Sequence, residues 1–202
     1  MLEQLRRYLE TSPYKPPTSG LAQNHAAVLI AITDNPHDPS VILTRRADSL
    51  SSHSGEVALP GGKWEEQDPN LEYTALRETH EEIGVAPDLV EVLGVLPPFH
   101  TYRGVSVTPF VGVVPEGLVY VPNYAELDAI FHVPLSFFIA DQRIRTDRFN
   151  RDIGHRWSPA YEYEGYEIWG FTARLLVNFI SSALDVDIGP ENPAPVKHWN
   201  AV

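Results

Sequence analysis

Between Gly61 and Val85 the chain reads GGKWEEQDPNLEYTALRETHEEIGV, and no other stretch restricts the fold as much. It opens as a loop, with two glycines after Pro60 and a polar run through Asp68, Pro69 and Asn70. Leu71, Ala75, Leu76, Thr79 and Ile83 then recur at spacings of three and four, which predicts a helix with one buried stripe. Gly84 supplies the stop signal. On this helix Glu78, Glu81 and Glu82 stand at i, i+3 and i+4, so their carboxylates share one face. Like charges at that spacing repel, and a helix needing only solubility would alternate Glu with Lys. A solvated acidic face is the plain alternative. A cation between the carboxylates is the chemical one, and hard oxygen donors suit Mg²⁺ or Mn²⁺. Arg77 is placed to hold one carboxylate by a bidentate contact.

Composition narrows the function. The 202 residues are enough for one domain with terminal additions, and 43% hydrophobic with 21% charged residues is a globular balance. A formal net charge of −12 argues against broad nucleic-acid binding. It leaves room for an anionic small molecule, because a divalent cation and a few arginines can invert the field inside one cleft. With no cysteine, disulfides, thiolate metal sites and a catalytic thiol are excluded. No apolar run approaches the ~20 residues of a membrane span and the start is unlike a secretory signal, so the expectation is a cytoplasmic enzyme with no membrane partner.

The Gly61–Val85 stretch resembles the box of the Nudix hydrolase family, G-x5-E-x7-R-E-U-x-E-E-x-G-U with U aliphatic. Arg77, Glu78, Glu81, Glu82, Gly84 and Val85 match it, and Gly62 stands near its opening glycine. The interval from Gly62 to Arg77 is one residue longer than the pattern, and Thr79 takes the aliphatic position. Asp68 and Glu66 are the nearest to the early glutamate, and neither receives its role. The extra residue is also found in the coenzyme A pyrophosphatase branch, whose preceding signature is L-L-T-x-R-S-x3-R-x3-G-x-V-x-F-P-G-G. Leu43, Thr44, Arg46, Gly55, Val57, Pro60, Gly61 and Gly62 fit that signature, whereas Ala47, Ser51 and Leu59 replace its serine, second arginine and phenylalanine.

The resemblance implies an α/β protein of the Nudix fold, an α/β/α sandwich around a mixed β-sheet. It also implies a metal-dependent hydrolase in which Glu78, Glu81 and Glu82, with the carbonyl of Gly61 or Gly62, hold Mg²⁺ or Mn²⁺. Glu126, in an N-x-x-E pattern starting at Asn123, takes the place from which many members draw another ligand or the catalytic base. The substrate implied is coenzyme A, cut at its pyrophosphate into 3′,5′-ADP and 4′-phosphopantetheine. ADP-ribose or NADH is the alternative kept open by Ser51, and a non-catalytic nucleotide-binding module is a third reading. The substrate-binding candidates are Arg45, Arg46, Gly61, Gly62 and Tyr102, whose ring would suit adenine stacking. His53 reads either as a base or ligand or as a solvated loop residue.

The remaining chain supplies the frame. Leu2, Leu5 and Leu9 mark a short N-terminal helix, which could dock, cap the core or form a homodimer interface. Residues 1–24 are read as this helix and a proline-rich connector, 25–184 as the Nudix domain and 185–202 as a tail on the surface or partly disordered. Strands are expected over 25–32, 40–44, 55–59, 89–96 and 105–114, and the family resemblance implies one more ending at Val133-Pro134-Leu135. A hairpin should join 143–148 to 161–163, and a helix capped by Thr172 should follow.

Overall fold

The structure, a computed structural model, describes residues 1–50, 52–101, 103–149 and 156–199. The chain forms two compact units, Met1–Pro134 and Leu135–Val202, so its contacts divide at 134/135 where the sequence suggested one domain to residue 184.

The first unit is built on β1 (His25–Thr33), whose continuous apolar run is buried because both its faces and both its edges are covered. It pairs antiparallel with β2 (Ser40–Arg46) and, beyond it on that sheet, β3 (Val57–Ala58) pairs with β2. β4 (Gly61–Lys63) also runs antiparallel to β1, with Ala27 opposite Gly62. The backbone expected only to bend there is therefore a strand. After α2 (Leu71–Ile83) and a 3-10 turn (Pro87–Leu89) come β5 (Glu91–Val95), β6 (Phe99–His100), β7 (Ser106–Val114) and β8 (Leu127–Pro134). β7 lies parallel to β1 along its whole length, β5 and β6 are antiparallel to β7, and β8 is antiparallel to β2. The sheet is mixed, and the class is α/β as expected.

Helix α1 (Leu2–Glu10) buries Leu2, Leu5 and Leu9 and packs on β5. Gly94 permits the approach, since a Cβ there would stand 3.0 Å from the Cβ of Leu9. Arg6 closes the contact with a two-pronged ion pair to Glu91. Among the described residues no helix is long and apolar enough to cross a membrane.

The second unit has α3 (Leu135–Ile139), β9 (Arg145–Phe149), β10 (Arg156–Tyr163), β11 (Tyr166–Ile168), α4 (Gly170–Leu184) and β12 (Val196–Trp199). α4 packs on β10 and buries Leu175, Leu176, Phe179 and Ile180. Two sequence expectations change here. Trp169, not Thr172, is the N-cap residue of α4, and Thr172 lies buried inside the first turn. The C-terminal segment is not a loose tail, because β12 runs parallel to β9 and Trp199 stacks on Trp169 at 5.8 Å. Asn192 donates to Asp141 at 2.9 Å, and Arg143 donates to the Gly189 carbonyl at 3.0 Å, which ties the segment down before it reaches the strand.

Leu5 is fully buried, whereas the Arg6–Glu91 pair is partly exposed. Urea denaturation should therefore show Leu5→Ala losing about 2–4 kcal/mol and Arg6→Ala less than about 1 kcal/mol. Equal losses would mean that α1 is held by charge instead of by its leucines.

Candidate active site

Helix α2 (Leu71–Ile83) forms where the periodicity places it, and its ends explain why it is so sharply bounded. Asn70 accepts the Tyr73 N–H at 2.8 Å, and Gly84 closes the helix in the left-handed region at φ 75°, donating to the His80 carbonyl. Leu71, Ala75 and Ile83 join Ala27, Leu29 and Phe110 in one core cluster, while Leu76 packs at its margin. Thr79, at the aliphatic position, is buried and satisfies its hydroxyl on the Ala75 carbonyl at 2.7 Å.

With the stripe docked on β1, the three glutamates meet three environments. Glu81 is exposed, Glu78 is half-buried and Glu82 is 5% exposed. Strand β4 passes directly over the last two. A Cβ on Gly62 would fall 2.4–2.5 Å from the Glu78 carboxylate, and one on Gly61 would fall 2.4 Å from the Ala27 carbonyl oxygen. Gly61 also holds φ at 149°, and its N–H donates to Glu82 at 3.2 Å. Both glycines are thus brought to the carboxylates.

Burial pushes the Glu82 carboxyl up to about 8; Glu78 and Glu126 push the same way, against the Gly61 N–H and Arg46. Glu78 is raised by burial, with Glu81 and Glu65 adding to it and Arg77 opposing. Arg77 is the cationic hub. Its Nε and Nη2 grip Asp68 at 2.9 Å each, while Nη1 lies 3.0 Å from Glu78 and 3.2 Å from Glu81. The expected bidentate carboxylate is therefore Asp68. Its side chain is fully buried, and it also accepts from Thr74 Oγ1 and the Glu65 N–H. Burial alone would raise Asp68, but these bonds outweigh it and hold the carboxyl below its ordinary value. Arg77 is raised in turn, chiefly by its bond to Asp68.

The expected trio is not drawn together around one point. Among the described residues no three carboxylates or imidazoles are so arranged, and Nη1 of Arg77 lies between Glu78 and Glu81. Glu78 and Glu126, the latter on the segment preceding β8, both act on Glu82 through their charge. These are hard oxygen donors, and a carboxyl raised by burial and by neighbouring negative charge fits a divalent cation that would lower it again.

The arginines separate. Between Arg45 and Arg46 the β2–β8 register shifts, leaving Asp128 as the extra residue. Asp128 takes Arg45, which also pairs with Asp48 at 2.7 Å, so Arg45 is committed to carboxylates. Arg46 acts on Glu82, and its buried Nε has no hydrogen-bond partner. His53 pairs with Glu56 at 2.7 Å. Tyr102 lies outside the described residues. Sequence reasoning missed Asp68 as the anchor of Arg77, and its signal was the buried acid three residues before the helix.

A mixed sheet with the acidic helix α2 packed on it, two of whose carboxylates lie against a glycine strand, defines the α/β domain. The model of the NUDIX domain matches residues 23–134, and the chain belongs to the Nudix hydrolase family. Proteins described as "Uncharacterized Nudix hydrolase NudL" from Salmonella newport (strain SL254) and Salmonella agona (strain SL483) are each 40% identical over 172 residues, which covers 84% of this chain and 86% of theirs. Among solved structures, a MutT/nudix family protein from Enterococcus faecalis is 18% identical with TM-score 0.48, covering 92% of this chain and 68% of its own. A C. elegans Ap4A hydrolase binary complex is 16% identical with TM-score 0.47, covering 57% and 83%. The protein is therefore a Nudix pyrophosphohydrolase, of a family that acts on nucleoside diphosphate derivatives and generally uses divalent metal ions.

Two tests address the local geometry. Asp68, with a folded-state value below the unfolded one, adds stability above about pH 4 that is lost as pH falls through the lowered value. Asp68→Asn should cost about 3 kcal/mol near pH 7, and its deficit against wild type in urea melts should shrink below about pH 4. A deficit that ignores pH would show that the contact is not ionic. For the glycines, Gly61→Ala meets fixed backbone and should fail to fold, whereas Gly62→Ala meets only the end of Glu78 and should fold with reduced turnover. Circular dichroism and activity separate the two, and a fully active Gly61→Ala would contradict the close approach.

Proposed function

We propose that the chain is a metal-dependent pyrophosphatase of coenzyme A or its thioesters, yielding 3′,5′-ADP and 4′-phosphopantetheine. The observation that carries this reading is the burial of Glu82 against the Gly61 N–H, where the charges of Glu78, Glu126 and Arg46 all act on it and the Arg46 Nε has no hydrogen-bond partner among the described residues. Arg46 belongs to the signature that resembles the coenzyme A branch, and Leu43, Thr44, Gly55 and Val57 frame it.

Glu78 and Glu82, with Glu81 and a carbonyl of Gly61 or Gly62, would hold Mg²⁺ or Mn²⁺, which supplies charge neutralisation and Lewis acidity toward the diphosphate oxygens. Arg46 donates to a phosphate oxygen, a role that Arg45 cannot share while it is held by Asp48 and Asp128. Water attacks one phosphorus; the new P–O bond forms as the bridging P–O bond breaks, and the departing phosphate keeps the electron pair. The proton from water passes to a carboxylate, either Glu126 or a glutamate of the helix. Asp68 keeps the Arg77 guanidinium in place, so that Glu78 and Glu81 are not free to swing away from the cleft. A second reading, hydrolysis of ADP-ribose or NADH, is favoured by one feature: Ser51 stands where the coenzyme A signature has its second arginine.

The test is a product assay with coenzyme A, ADP-ribose and NADH in parallel, with Mg²⁺ and with Mn²⁺. Coenzyme A should be cut fastest, and a large preference for ADP-ribose would move the assignment to the second reading. Glu82→Gln should lower turnover at least ~10²-fold with folding retained. Arg46→Ala should lower kcat/KM by about tenfold or more, with Arg45→Ala affecting it less. A Glu82→Gln enzyme near the wild-type rate would remove the site.

A further inference from the structure

Glu126 reaches the cleft on the segment between β7 and β8, and that segment is laced to the end of α2. The Val121 N–H donates to the Ile83 carbonyl at 3.0 Å and the Asn123 N–H to the Glu82 carbonyl at 2.9 Å. Gly84 leaves the space for this, because a Cβ there would stand 2.9 Å from the Cβ of Val121. Asn123 then turns the chain. Its main-chain carbonyl accepts from the N–H groups of Glu126 and Leu127, each at 2.9 Å. Its side-chain Oδ1 accepts the Ala125 N–H at 3.2 Å, and its Nδ2 donates to Glu126 Oε1 at 3.3 Å.

The orientation of that amide is determined by chemistry. A backbone N–H can only donate, so the atom facing Ala125 is the oxygen and the nitrogen is left for Glu126. Asn123 therefore touches both carboxylate-bearing residues, Glu82 through its backbone and Glu126 through its side chain. We propose that Asn123 is a positioning residue that aims the Glu126 carboxylate at the Glu82 end of α2 and so acts on the hydrolysis through Glu126. This rests on the role proposed for Glu126. The charge of Glu126 is felt at Glu82, as that aim requires.

Aspartate distinguishes positioning from turn formation. It serves an Asx turn as well as asparagine does, but it would set a second carboxylate oxygen against Glu126 where a donor now stands. The experiment compares wild type with Asn123→Asp, Asn123→Ala, Glu126→Gln and the double variant N123D/E126Q. It measures hydrolysis of coenzyme A and of ADP-ribose with Mg²⁺, and the melting midpoint of the metal-free protein. Asn123→Asp should melt no lower than Asn123→Ala, yet lose about tenfold or more in kcat with KM little changed. N123D/E126Q should be no slower than Glu126→Gln alone, because no charge remains to be repelled. Turnover that merely follows stability, with Asn123→Asp at the wild-type rate and Asn123→Ala below it, makes Asn123 a turn former and overturns the inference. Glu126→Gln at the wild-type rate overturns the role of Glu126 itself. A wild type that hydrolyses neither substrate removes the proposed function and this inference with it.

Discussion

The structure depends on two missing side chains. Gly61 and Gly62 allow a strand to lie between β1 and the acidic end of α2, touching the Ala27 carbonyl on one side and the Glu78 carboxylate on the other. A Cβ at Gly61 would meet fixed backbone, whereas one at Gly62 would displace the Glu78 carboxylate. The same closeness buries Glu82 and brings it the Gly61 N–H as a donor. Core packing and site chemistry are thus set by one constraint: the stripe of α2 that fills the core fixes the height of the carboxylates under β4.

Charge balance follows from that burial. In a chain with a net charge of −12, the charges of Glu78 and Glu126 bear on the buried Glu82, and few cations answer them. Arg77 is largely spent on Asp68, which is buried and cannot find water as a substitute. Its remaining nitrogen serves Glu78 and Glu81 together. Arg46, whose charge also acts on Glu82, keeps a buried Nε with no hydrogen-bond partner among the described residues. Isolated buried charges are costly enough that such a cluster tends either to take up protons or to recruit positive charge, and the elevated Glu82 carboxyl is the protonic side of that choice.

Much of this was legible in the chain because local and tertiary signals agree. The period of α2, its Asn70 start and its Gly84 stop all point one way, and the apolar runs of β1 and β7 are long enough to identify themselves as buried strands. β4 was not legible, since Gly61-Gly62-Lys63 has no strand propensity and is extended only because β1 offers it an edge. β12 was hidden for a related reason: its partner β9 is some fifty positions earlier, and the proline-bearing run before it resembles a tail. The start of α4 was placed at Thr172 by a capping preference that the Trp169-Gly170 turn overrides. For Arg45 and Arg46, residue type gave no ranking. The register shift opposite Asp128 captured one of them and left the other facing Glu82.

The three glutamates of α2 carry the same argument further. Identical in chemistry and adjacent on one helix face, they could not be told apart by spacing. Packing separates them: rotation of the helix onto β1 puts Glu82 under the glycine strand, leaves Glu78 half-covered and turns Glu81 toward solvent and Arg77. Burial raises the carboxyls of Glu82 and Glu78, and at Glu78 it is opposed by Arg77. Groups of one residue type with separated proton affinities can divide the work of holding positive charge and of taking a proton. The position of the buried stripe, fixed by Leu71, Ala75 and Ile83, is therefore what assigns each glutamate its environment. A helix turned by one residue would keep the same acidic sequence and lose that gradient.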